Sequence, residues 1–436
     1  MKFEKPFLFL SALIASFVIA SGVTTVSKPS NYSESYPVVV CPPTLNGLTS
    51  QISISSRKTQ YQRLENRSSK TVPFKALRFP VTKDSLVISA EGTTPLIWQS
   101  RAGSWAGGTL CSGPNSAAWF VGGTANVTSR GRLILINSGL SDSIVDVQSY
   151  TENAKQPIKS VNLKSKSYVQ LSLDSLAPGD KALAVQVTPR SGRVNAFMID
   201  EQGVGLKALG GDFVNSYPNA SKELVIPAIP NQLPKTGQKA SASHTLRILT
   251  PGDVNTTFTL EVLSADGKFV PVGMSSRSIE AGVVSEFSFE PRISASAFAV
   301  RVTSAEPIVA SVSSSVTISR HKDFVWSTAT PPITPMTIAV TGLSPLIAFA
   351  GESISVKVQA KFVNGKNVSA SVKGSDIATW RVPANARSIT IVSSSKGVFA
   401  GALIASTNGY GFIPIVNGSA LTRVEVPNSN IRVLNP

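Results

Sequence analysis

Cysteine and histidine are scarce in this sequence, two of each in 436 residues. Cys41, Cys111, His244 and His321 lie far apart along the chain, and a closed zinc site needs four ligands brought together, so zinc chemistry is not expected. No Gly-x-Ser-x-Gly elbow accompanies either histidine, which argues against a Ser-His-Asp hydrolase. Ser-x-x-Lys occurs at Ser55–Lys58, Ser319–Lys322 and Ser393–Lys396, but the companion motifs of penicillin-binding enzymes are missing. Most acids sit singly in turns such as "GLSDS" and "SADGK", without the carboxylate pairing that glycoside hydrolysis requires. Asp200, Glu201 and Asp212, in "DEQGVGLKALGGD", are the densest group and offer oxygen ligands to a cation; a related stretch near the C-terminus has "ASTNGYGFIPIVN" in the corresponding place, without these acids, which favours a plain loop. No catalytic, cofactor-binding or metal residue is therefore assigned, and no cofactor. Aromatic residues are only 7% and methionines only four, and no segment sustains a helical period over three turns, so helical bundles are excluded.

What is present is an export address and a strand-rich body. Residues 1–27 place Lys2 and Lys5 before an apolar run that begins at Phe7, the pattern of a signal peptide or an N-terminal membrane anchor. The run is long enough to be retained, yet Ala20-Ser21-Gly22 provides small residues for cleavage, and both readings stand. No cysteine follows it, so it is not a lipoprotein signal. The two basic residues on the short flank would stay inside, which puts the remaining chain outside the membrane. In that oxidising setting Cys41 and Cys111 are expected to form one disulfide.

The net charge of +16 is unevenly spread. Residues 1–80 carry ten Lys/Arg against three acids and residues 351–436 nine against three, whereas the middle is nearly balanced, twenty-two against nineteen. The candidate polyanion-binding residues are Arg57, Lys58, Arg63, Arg67, Lys70, Lys75 and Arg78 at one end and Lys357, Lys361, Lys366 and Lys373 at the other. They are not interleaved with aromatics, so nucleic acid is not an expected partner.

Residues 181–196, "KALAVQVTPRSGRVNA", recur as "SAFAVRVTSAEPIVAS" at 296–311. The matched positions are small or apolar and alternate with variable ones, which is a strand face and predicts Val185, Val187, Val300 and Val302 buried with Gln186 and Arg301 exposed. The recurring alanines, Ala182-x-Ala184 and Ala297-x-Ala299, are expected against the other sheet of the same module. Upstream, "GRLILINSGLSDSIVDVQSY" corresponds to "HTLRILTPGDVNTTFTLEVL", each expected to form a hairpin. A weaker third copy follows in "ESISVKVQAKFVNGKNVSASV" and "RSITIVSSSKGVFAGALIA". The expected fold is all-β, tandem immunoglobulin-like β-sandwiches after the N-terminal signal or anchor helix. The expected segments are the 28–36 linker, an N-terminal β-rich region 37–118 with the cysteine pair, sandwich repeats 119–235 and 236–345, and a shorter divergent repeat 346–436.

The ordered set of an N-terminal anchor, Cys41-Pro42, Cys111 with Pro114 and Trp119 to Gly123, and units ending in Ala-x-Ala-Val-x-Val-Thr resembles a family of actinobacterial secreted or membrane-anchored proteins of unknown function. The resemblance implies an all-β envelope protein and supplies no catalytic residue. Taken together, the expectation is a non-enzymatic, extracytoplasmic protein that is membrane-tethered or secreted. Its expected partners are an anionic wall glycopolymer or an envelope protein, with the membrane reached through the N-terminal segment. The alternative is an accessory subunit of an envelope glycosyltransferase or polymer-export system, and a hydrolase with a site at a domain junction is the least favoured class.

Overall fold

The computed structural model describes residues 34–35, 38–64, 71–89, 92–192, 194–205, 207–232, 244–318, 321–418 and 420–421. Residues 35–421 group as one compact unit; the other, 1–34 with 422–436, lies almost entirely outside the described residues, as does the expected leader. No helix among the described residues is long and apolar enough to cross a membrane. The only helical element among them is a 3-10 turn, Leu173–Ser175, and the fold is all-β.

One pairing scheme is written four times. In residues 118–214 eight strands form two four-stranded sheets: Ala118–Val121, Leu183–Pro189, Ser143–Thr151 and Lys159–Leu163 in one, and Ser167–Ser172, Arg132–Asn137, Val194–Val204 and Lys207–Val214 in the other. Numbered in chain order within the copy, the sheet orders are 1-6-3-4 and 5-2-7-8. Residues 38–110 repeat both orders, with Val38–Cys41 as first strand and Trp105–Leu110 as eighth. Residues 221–328 repeat them with the sixth and seventh strands fused into Ala297–Ile318, which pairs with strands of both sheets. Residues 336–414 repeat them with two fusions, Leu346–Phe362 for the second and third strands and Asn367–Arg381 for the fourth and fifth. The strands themselves follow from alternation: in Thr256–Ser264 the side chains of Phe258, Leu260 and Val262 point inward.

Two expectations change. Arg132–Asn137 and Ser143–Thr151 are not a hairpin: they lie in opposite sheets, as do His244–Leu249 and Thr256–Ser264. Alternation marks which face of a strand is buried but not which strand is its partner, and the short Gly-containing link crosses between sheets. The expected edge at 235/236 also falls beyond a strand whose hydrogen bonds run forward, since Ser221–Pro230 pairs with Ala297–Ile308. Met336–Ala339, placed ahead of residue 346, likewise pairs forward with Ser388–Ile391.

The four copies close into a ring, each packing on the next. Val40, Leu48 and Trp105 of the first meet Ile134, Phe197 and Phe213 of the second. Trp119, Ala182 and Ala184 of the second meet Leu249 and Val309 of the third. Ala228, Ala297 and Ala299 of the third meet Ala348 and Phe412 of the last, and Ile338, Ile347 and Ile413 of the last meet Leu96 and Trp98 of the first. The recurring alanines therefore face the seams between copies, while Val185, Val187, Val300 and Val302 are buried in the core of their own copy. Small side chains let two sheets approach closely where both faces of a strand are covered. Gln186 and Arg301 are only partly exposed for the same reason: they continue the seam face, and Arg301, 17% exposed in its side chain, reaches Glu223, Glu261 and Glu352.

Cys41 and Cys111 form the expected disulfide, with Cα atoms 4.4 Å apart. It ties the first strand of the first copy to the end of its eighth, beside the seam where Gly113 N donates to Gly418 O at 2.6 Å.

Candidate functional site

Two places concentrate charge. The first is the ring axis, where the eighth strands Trp105–Leu110, Lys207–Val214, His321–Thr328 and Tyr410–Pro414 run side by side. Eighth strands are sheet edges, and their free N–H groups would be orphaned in the interior. Buried aspartates accept them. Asp323 takes Gly211 N at 3.1 Å, Phe324 N at 2.9 Å and Tyr410 N at 3.4 Å. Asp212 takes Phe213 N at 2.8 Å and Trp326 N at 3.0 Å, and Phe412 N as well. Asp200 accepts Trp326 Nε1 at 3.0 Å, and Asn215 Nδ2 donates to Gly108 O at 3.4 Å and Phe412 O at 3.2 Å. Glycine is required for this approach, since a β-carbon on Gly107 would stand 2.3 Å from Asp212 Oδ1.

Burial raises the pKa of all three acids, that of Asp323 to about 7; desolvation is the largest cause in each, opposed by the hydrogen bonds they accept. The "DEQGVGLKALGGD" stretch is thus not a plain loop: it supplies the seventh and eighth strands of the second copy and their turn. Among the described residues no group of three or more His, Cys, Asp or Glu that could hold a metal ion occurs. The axis also holds Arg247, buried at 4% side-chain exposure, which reaches from the third copy to Gly123 O and Leu183 O, pairs with Glu286 at 2.7 Å and lies over the Trp326 ring. These charges join copies. His244 is equally committed, its Nδ1 2.9 Å from Ser314 Oγ and its ring against Phe289 and Phe298.

The second place is the outer surface where the last copy meets the first. Lys357 and Lys361 point outward from Leu346–Phe362 while Val356, Val358 and Ala360 point in. Lys373, on the paired strand, stands opposite Ser355 and shares that exposed face with Ser369 and Ser371, and Lys366 is exposed at the adjoining turn. Lys361 lies opposite Ser388, next to Arg387, whose carbonyl accepts Val340 N at 2.9 Å. Thr341 then touches the first copy, its hydroxyl donating to Ile54 O at 3.1 Å. Beyond that contact Arg57, Lys58 and Lys75 are exposed at one end of the first copy, held together by Phe74 N donating to Thr59 O.

Not every predicted basic residue is free. Arg78 is half-buried and docks across the seam on Thr341 O at 3.1 Å and on Gln51, and burial lowers its pKa. Arg63 is paired with Asp84 at 2.8 Å, and Arg67 and Lys70 lie outside the described residues. Sequence reasoning singled out Asp200 and Asp212, though not as acceptors for strand N–H groups, and missed Asp323 and Arg247.

A model of a family of unknown function (DUF5719) matches residues 89–380, from the sixth strand of the first copy into the fifth of the last. The chain belongs to the DUF5719 family. A crystal structure of Thermotoga maritima 1070 aligns over 24% of this chain and 94% of its own length, at 16% identity and a TM-score of 0.21. No curated protein matches the chain. The DUF5719 match crosses three of the four stretches that build the ring axis, Trp105–Leu110, Lys207–Val214 and His321–Thr328.

Proposed function

We propose that this DUF5719 protein is a non-enzymatic component of a cell envelope, tethered or secreted through its N-terminal segment, whose immunoglobulin-like modules bind an anionic wall glycopolymer. The observation that carries this reading is the ring closure. The copies at the two basic ends of the chain pack directly on each other, so exposed Arg57, Lys58 and Lys75 of the first and Lys357, Lys361, Lys366 and Lys373 of the last stand on joined copies although at least 282 residues separate them in sequence. Cations set among serine hydroxyls suit a polymer that carries repeated phosphate or carboxylate groups and hydroxyls between them.

The test is sedimentation of the full-length soluble protein with purified wall polymer across a salt series, beside a variant carrying Lys357→Gln, Lys361→Gln and Lys373→Gln. Binding of the parent should weaken steeply toward physiological salt, where charges are screened over about 8 Å. The variant should bind at least about tenfold more weakly at low salt, with a shallower salt dependence, because each released counterion contributes to that slope. Equal binding by parent and variant, or binding indifferent to salt, would remove the proposal and leave the charge to serve solubility.

A further inference from the structure

The ring has two unlike poles. All four eighth strands run the same way along the axis, so the turns that precede them gather at one end: Gly103 N donates to Asn408 Oδ1 at 3.4 Å, and His321 Nε2 lies 3.1 Å from Asn408 O. Both ends of the compact chain lie at the opposite pole, where Ser112 exchanges hydrogen bonds with Val40 and Gly113 N donates to Gly418 O. The turn pole is therefore the one away from residues 38–41 and 418.

At that pole the 124–130 loop folds over the turn of the second copy, with Thr128 Oγ1 donating to Gly203 O at 2.6 Å and Arg130 N to Glu201 O at 2.9 Å. A shallow hollow opens there, lined by Thr128, Arg130, Glu201, Gln202, the two glycines of the turn and Ala208. Around it aliphatic side chains stand in water: Val127 is 85% exposed, Val204 66% and Leu209 41%. Three cations are exposed at this pole, Arg130, Lys322 and Arg381, on the second, third and last copies, the last acting on the Tyr410 hydroxyl. The acid that could neutralise them, Glu201, is buried and taken by Arg101 at 2.6 Å. None of the three cations enters a salt bridge among the described residues.

We infer that this pole is a docking surface for a protein segment that presents aliphatic side chains beside carboxylates. The aliphatic residues would bury against Val127, Val204 and Leu209, and the carboxylates would meet Arg130, Lys322 and Arg381. A second copy of the chain is disfavoured by its own charge of +16, and adducts to lipid are an outcome that the experiment separates. This surface is separate from the lysine face of the last copy, so either assignment can fail alone.

The experiment places a photo-crosslinking amino acid at Val204 in the full-length protein in its producing cells. A control carries the same group at Val272, fully exposed on the third copy. Arg130→Glu with Lys322→Glu is then introduced behind the Val204 probe, and unchanged thermal unfolding of the purified variant verifies its fold. The expected result is one discrete, protease-sensitive adduct at Val204 and not at Val272, reduced at least about fivefold by the charge reversals. Mass spectrometry should map its attachment to a segment with Asp or Glu beside aliphatic residues. Adducts equal at both positions, no adduct at Val204, an adduct to lipid or to a second copy, or one that survives charge reversal would each overturn the inference.

Discussion

The eighth strand of the second copy, Lys207–Val214, and the outer half of the last copy's fused strand, Leu346–Phe362, both carry charge on β-structure, in opposite settings. Asp212 is fully buried and accepts Phe213 N of its own strand on Oδ1 and Trp326 N of a neighbouring strand on Oδ2. Lys357 and Lys361 are exposed, with buried valines on the reverse side of the same strand. The difference separates charge that builds the ring from charge the ring displays. An axial charge cannot be removed without leaving donors unpaired in the interior, whereas a displayed charge is available to a partner and contributes little to folding.

The largest break in that comparison comes from cutting the ring. A fragment of residues 116–345 contains the second and third copies but lacks Trp105–Leu110 and Tyr410–Pro414, against which Asp212 and Asp323 are placed. It loses two seams outright and exposes Phe197, Phe213, Ala228 and Ala299. The fragment should show no cooperative thermal unfolding transition by circular dichroism, while the full chain shows one. A fragment that melts cooperatively would mean that the copies are independent beads and that the axis is incidental.

Next in size is a single axial substitution. Asp212→Ala orphans the N–H groups of Phe213, Trp326 and Phe412, each of which costs about 1–3 kcal/mol when buried without an acceptor. The expected loss is about 5 kcal/mol in denaturant unfolding, and a loss below about 1 kcal/mol would show that water satisfies these donors. Gly107→Val attacks the same seam from the other side by pressing a side chain into Asp212 and the Phe213 backbone.

Much of the displayed half of this comparison was legible in the sequence, and little of the axial half. Valines at 185, 187, 300 and 302 sit in the cores that their alternation predicts, the two cysteines pair, and the strongly matched copies share one topology. The first copy went unseen because its strands are short, Val72–Pro73 and Arg78–Pro80 among them, and too little sequence lies in each to show a period. The alanines of the repeat were visible but assigned to the wrong interface, since a strand buried on both faces gives no sign of which neighbour covers which. Aspartate beside glycine read as a turn because that is its common local role. Only the assembled ring shows that the glycines clear space for a carboxylate between strands.

A smaller effect sharpens the contrast through pH. Burial lowers the pKa of His244 from its ordinary 6.5 to about 4, so the folded protein holds it neutral where the unfolded chain would protonate it. Its contribution is complete above about pH 6.5 and declines as pH falls toward 4. Asp323 has the opposite slope: its pKa raised to about 7 gives stability that is present at acid pH and declines as pH rises through 7. The two oppose each other over the mildly acidic range. His244→Gln removes one of them, so its destabilisation should be about 2 kcal/mol smaller at pH 4.5 than at pH 7, measured by urea unfolding at each pH. A cost independent of pH would mean that His244 is protonated in the folded state.

The smallest effect on folding belongs to the displayed lysines, and it is informative because it is small. Lys361 stands on the water side of a strand whose inward neighbours, Ala360 and Val358, are buried, and no salt bridge among the described residues involves it. Its ammonium has lost little hydration on folding and gained no partner, so Lys361→Gln should change unfolding free energy by no more than about 0.5 kcal/mol. Arg301→Ser should cost more, roughly 1 kcal/mol, because that guanidinium, one strand step from Val300 and Val302, lies among three glutamates at the seam between third and last copies. Urea unfolding of both variants side by side decides the point. If Lys361→Gln costs as much as Arg301→Ser, the lysine face is part of the scaffold and its charge is not free for a polymer. If Lys361→Gln is silent in unfolding yet weakens sedimentation with wall polymer, folding and binding are carried by different charges of the same ring.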